Sequence, residues 1–159
     1  MSGATVSSLP HEFFVTGSPV SVNRYGTAAY RDWRSDVHTE SVNGGSWSGC
    51  LVSGTCSILV RYFRRCDRQK DVDNILKAIL DGLDGKVGGQ TKQTIRVLLD
   101  DKHVERVVCQ RTKIDFSTKI NARRLRPQEY AAVLAALSNQ AAVFVSVTDA
   151  PDHQRSVTR

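Results

Sequence analysis

The chain has no apolar run near the roughly 20 residues that a membrane-spanning helix requires, so no transmembrane segment is expected. Met1 to Leu9 carries no basic region followed by an apolar stretch, and no signal peptide is expected there. Both absences point to a protein of the cytoplasm, in a bacterial cell or a phage-infected host, with no membrane partner. Cysteine is scarce. Cys50, Cys56, Cys66 and Cys109 form no Cys-x-x-Cys pair, and His11, His38, His103 and His153 do not fall at zinc-finger spacing. A zinc module is thereby excluded, and reduced, mostly buried thiols without chemistry are expected. There is no internal repeat and no low-complexity linker. With 159 residues, 40% of them apolar, the chain suits one domain with a real core. That domain is placed at residues 10–149, with 1–9 and 150–159 as flexible termini.

What is present is an uneven charge. The net charge of +6 hides its distribution. Residues 1–60 hold three Arg against four acidic residues, and residues 127–159 hold two Arg against three. Residues 61–126 therefore hold 17 basic against nine acidic residues, a net of +8. A basic block of this kind attracts polyanions. Charge runs are also commonly plain solvated surface.

The order of elements fits one α+β domain, a mixed β-sheet packed by amphipathic helices. Phe13 to Val15 reads as a first strand. Tyr30, Trp33 and Val37 recur at helical spacing within Ala28 to Thr39. Cys56 to Phe63 is a second strand with a basic end, Arg61, Arg64, Arg65, Arg68 and Lys70. Val72, Ile75, Leu76, Ile79, Leu80 and Leu83 form one apolar stripe of a helix. Asp73, Lys77, Asp81 and Asp84 lie on its other face, and Asp71 sits at a plausible N-cap. Glycines 82, 85, 88 and 89 are expected to end this helix and open a mobile loop. A strand over Val104 to Ile114, a basic loop from Lys119, a helix opened by Pro127 and a strand around Val143 to Thr148 complete the chain.

The informative feature is Asp71-Val72-Asp73-Asn74 with Lys77 one turn on, followed by Asp100-Asp101. Phosphodiester hydrolysis needs an activated water and a stabilised leaving oxygen. Divalent metal ions on hard oxygen ligands provide both. Asp71 and Asp73, with Asp100 or Asp101, can supply such ligands inside a basic segment. Lys77 can stabilise developing charge, and Asn74 can orient a ligand or meet a phosphate. Each residue also has a bland account: Asp71 as a cap, Asp73 paired with Lys77 at i, i+4, Asp100-Asp101 as a turn. Two other metal sites fail. An EF-hand loop from Asp71 would want Gly and Glu where Leu76 and Gly82 stand. A manganese Asp-x-Asp of sugar-nucleotide transferases belongs to larger domains.

At these residues the chain resembles the RusA family of Holliday junction resolvases, small endonucleases common in phages and prophages. The motif Asp-x-Asp-Asn with Lys and Asp following is matched by Asp71 to Asn74, Lys77 and Asp81. The later acidic pair is matched by Leu99-Asp100-Asp101, and upstream segments by Asn23-Arg24-Tyr25 and Tyr30-Arg31-Asp32. The resemblance runs over about residues 12 to 115 in consistent order. It implies a homodimer dependent on Mg²⁺ or Mn²⁺ that cuts branched, four-way DNA by paired nicks. It implies Asp71, Asp73 and Asp101 as metal ligands, Asp100 as a supporting carboxylate and Lys77 as the essential lysine. Asn23, Arg24, Arg64, Arg65, Arg68, Lys70, Asn74 and Lys77 are the expected DNA contacts. Two segments depart from the family pattern: a longer, Gly-rich and basic stretch between Asp81 and Asp100, and an added loop and helix over 119–139. The alternatives are a non-catalytic branched-DNA-binding module and a nuclease for forks or flaps.

Overall fold

A computed structural model of the chain describes residues 9–45, 47–66, 71–89 and 91–150. Arg68, Lys70 and all but Leu9 and Ala150 of the expected termini, 1–9 and 150–159, lie outside the described residues. The element order is β1 (His11–Thr16), α1 (Ala28–Asn43), β2 (Cys56–Arg64), α2 (Val72–Leu83), β3 (Val104–Lys113), α3 (Pro127–Asn139) and β4 (Ala141–Asp149), with short 3₁₀ turns at Val22–Arg24, Asp101–His103 and Ala122–Arg124. This is the expected α+β class.

The strands form one mixed sheet in the order β1-β4-β2-β3. β4 pairs antiparallel with β1 and β2, whereas β2 and β3 are parallel. Parallel neighbours need a crossover, and α2 makes it. Its apolar stripe packs with α1 on one sheet face, where Ile75, Ile79 and Leu83 join Phe13, Tyr30, Ile58, Val60, Val145 and Val147 in a fully or nearly fully buried core. Each such aliphatic side chain contributes roughly 1.5–3 kcal/mol by leaving water. The other face carries a smaller core, in which α3 covers Phe63, Ala142 and Phe144. β4 is thus central and buried on both faces, which is why its alternate residues Phe144 and Ser146 are as enclosed as its valines. Among the described residues no helix is long and apolar enough to cross a membrane.

Three local expectations need correction. Gly82 does not end α2 but lies buried within it. A Cβ there would meet Val37 Cγ1 at 2.7 Å, so the glycine lets α2 approach α1 closely. The segment after α2 is pinned rather than loose. Leu98 N–H donates to Leu83 O at 3.0 Å and Gln93 N–H to Gly85 O at 2.9 Å, while Val97 and Leu98 are fully buried. Asp81 and Asp84, on the helix face opposite the apolar stripe, are buried. All four cysteines are free, but Cys50 and Cys66 are exposed. Cys56 and Cys109 fit the expectation better, burial pushing each thiol up to about 11.

Candidate metal and phosphate site

The acidic residues gather where α2 ends and the chain returns toward β3. Asp100 caps the Asp101–His103 turn, its Oδ1 accepting from Lys102 N–H at 3.0 Å. That hydrogen bond, with Lys92 and Lys102 nearby, holds the Asp100 carboxyl below its ordinary value. Asp84, the C-cap of α2, is fully buried. Ligand atoms of Asp84, Asp100 and Asp101 all lie within 4.8 Å of one another, the one such group of three found among the described residues.

Lysines thread this cluster. Lys86 Nζ stands 2.8 Å from Asp84 and 3.2 Å from Asp101. Lys92 Nζ stands 2.9 Å from Asp84 and 3.7 Å from Asp100. Lys77 reaches from α2 to Asp81 at 2.6 Å and to Asp101 at 3.9 Å. The Asp84 hydrogen bond is the largest cause that raises Lys86 above its ordinary value; Asp101 adds to it and burial opposes it. Asp81 is further approached by Arg34 of α1 at 3.7 Å. Arg34 in turn lies over the rings of Tyr30 and Tyr25, 5.0 and 5.6 Å from their centroids. Burial first, and Asp81 second, push the Tyr30 phenol up to about 12. Beside the cluster opens a pocket of about 260 Å³ lined by Tyr25, Arg34, Lys77, Lys86, Lys92 and the Gly88-Gly89 turn.

The donor set suits a hard divalent cation, since three carboxylates converge and all their ligand atoms are oxygen. Asp84 Oδ2 is buried and meets the Lys86 ammonium at 2.8 Å. An ion here would compete with Lys86 and Lys92 for the same oxygens. Asp100 and Asp101, expected from the sequence, belong to this group, and Asp84 was not foreseen. The signal for Asp84 was its place at the end of the α2 polar face, but nothing local showed that it turns inward.

Asp71 and Asp73 stand apart from that group, exposed at the start of α2. Asp71 occupies the N-cap position without a side-chain cap bond. Its carboxylate instead accepts from Asn74 Nδ2 at 3.3 Å, and Asp73 accepts from Asn74 N–H at 3.0 Å. The Asp73–Lys77 pair does not form, because Lys77 turns to the buried Asp81. Asp73 nevertheless lies one helical turn from Lys77, about 6 Å along the axis. Asn23 and Arg24 are exposed on the turn that packs beside α2. Arg64 and Arg65, at the far end of β2, serve the fold in part: Arg64 donates to Cys66 O at 2.7 Å, and Arg65 donates to Leu137 O at 3.0 Å while lying 4.4 Å from the Phe116 ring centroid. A scan against protein-family models finds no match, and a search of curated proteins finds none either.

Proposed function

We propose that this protein is a metal-dependent endonuclease of RusA type, acting on four-way or related branched DNA. The observation that carries the proposal is a convergence across a long loop. Asp101 comes within 3.9 Å of Lys77, the lysine that the Asp-x-Asp-Asn motif positions on α2, and joins Asp100 and Asp84 as a three-carboxylate group. Asp84, Asp100 and Asp101 would hold a Mg²⁺ or Mn²⁺ ion, with Asp71 and Asp73 as the further carboxylates toward the DNA. Such an ion, when bound, lowers the pKa of water and offsets phosphate charge. Lys77 neutralises charge on the phosphoryl oxygens. The exposed Asn23 and Arg24, with the basic residues that end β2, hold flanking phosphates.

A homodimer would present two such sites to two strands. The edge strand β3 supports this, because Val107 and Val108 are exposed on it at 36% and 39%. Antiparallel self-pairing about Val108 would set Glu105 opposite Arg111 of a second copy, an attractive cross-strand pair. Val107→Lys is expected to give a folded monomer by sedimentation, and an unchanged oligomeric state would reject this edge as the interface.

The non-catalytic DNA-binding module is the second reading. It is favoured by the lysines that already neutralise Asp84 and Asp101. Thermal unfolding with and without Mn²⁺ separates the two, since a ligand of the native state raises Tm. The nuclease reading expects a rise in the wild type that Asp84→Asn removes. The binding-module reading expects no metal effect and salt-sensitive DNA binding alone.

A further inference from the structure

A second pocket, of mixed polar and apolar lining, lies on the opposite sheet face from α2, at the same end of the sheet as the acidic cluster. It measures about 290 Å³ and is floored by neighbouring positions of three strands. Ser57 is flanked by Thr148 and Arg106, and Leu59 by Ser146 and Val108. Arg126 enters from the residue before α3, its Nη1 donating to Ser146 Oγ at 3.3 Å and to Glu12 Oε1 at 2.8 Å. Three hydroxyls and two guanidinium groups therefore converge on one small space.

Two observations point to a ligand. Ser57 is 9% exposed, and its hydroxyl is buried with no hydrogen-bond partner. Buried polar groups normally find partners, whereas Ser57 lines the pocket with its bonding capacity intact. Arg106 makes no ion pair or hydrogen bond among the described residues, and both bonds of Arg126 leave from Nη1, so other N–H donors of its guanidinium remain. Against one carboxylate, Glu12, the two arginines leave a net positive charge. Many donors around a space this small suit a tetrahedral group with several acceptor oxygens better than a planar carboxylate.

We infer that this pocket binds a phosphate group. Arg106 follows Asp101 by five residues, so a DNA strand passing the acidic cluster and turning over the end of the sheet where β2 and β3 begin could place a backbone phosphate here. A free phosphate or a phosphorylated small molecule has the same chemistry. Only the assignment to DNA rests on the nuclease reading.

The test is thermal unfolding of the full chain in inorganic phosphate against acetate of equal ionic strength, for wild type, Arg106→Gln and Ser57→Ala. Phosphate is expected to raise the wild-type Tm by a few degrees and to lose most of that effect in both variants. Ser57→Ala should match or exceed the wild-type Tm in acetate, because it removes an unsatisfied hydroxyl. No phosphate effect in the wild type, or an equal effect in all three proteins, overturns the proposal. DNA binding in EDTA then identifies the source. About tenfold weaker binding by Arg106→Gln assigns a backbone phosphate, whereas unchanged DNA binding alongside lost phosphate stabilisation assigns a free phosphate. Neither readout needs cleavage or metal, so a failed nuclease reading leaves this test intact.

Discussion

Asp81 and Asp84 differ from the carboxylates before them in one physical respect: they are buried. Burying a carboxylate is costly unless cations meet it, and here Lys77, Arg34, Lys86 and Lys92 do so. Arg34→Met removes one partner of Asp81 and the cation lying over Tyr30. A loss of about 3 kcal/mol is expected in denaturant unfolding, and a loss below about 0.5 kcal/mol would show that Lys77 alone suffices. His11 gives a second residue-scale prediction. Its Nε2 bonds Ser41 O at 2.8 Å, while Nδ1 is buried without a partner. Desolvation by burial lowers its pKa, with the Ser41 bond opposing. The unfolded ring therefore takes up a proton first as pH falls below 6.5, its ordinary value. Stability from this residue is complete above that pH and is lost as pH falls toward the depressed folded value. Tm should drop between neutral pH and pH about 5, and His11→Gln should flatten that part of the profile.

At the scale of elements, α2 was the most legible part of the chain. Its apolar stripe, its start after Asp71 and its polar residues are all periodic in the sequence, and periodicity is a local property. The meaning of Gly82 was not local. Glycine reads as a breaker, yet its position here is set by Val37 of another helix. Gly82→Ala should cost about 1–3 kcal/mol by overpacking that contact, and a neutral result in urea unfolding would show that α1 yields. The stretch 85–96 reads as a loop because glycines and lysines dominate it. Its return toward β3 is held by Leu83, by the buried Asp84 and by the distant Val52, contacts that hydrophobic periodicity does not register. The same limit concealed Asp84. Asp100 and Asp101 were recognisable as a pair, but their third carboxylate came from across the loop.

At the scale of the whole molecule, the order of elements implies the α+β class and the charge distribution marks the basic middle segment, while the strand order is not legible. The pairing of β4 between β1 and β2 joins the two ends of the chain, and such long-range pairing leaves little local trace. The arrangement places α2 and the return to β3 on one face, so that acidic groups and lysines meet at one end of the sheet. Cleavage of a synthetic four-way DNA junction with end-labelled strands, in Mg²⁺ or Mn²⁺, tests this account most directly. Asp73→Asn and Asp101→Asn serve as controls. The account predicts symmetric paired nicks near the crossover, lost in both variants while junction binding persists. Tight junction binding by the wild type with no nicks in either metal, on this substrate and on forks and flaps, would contradict it.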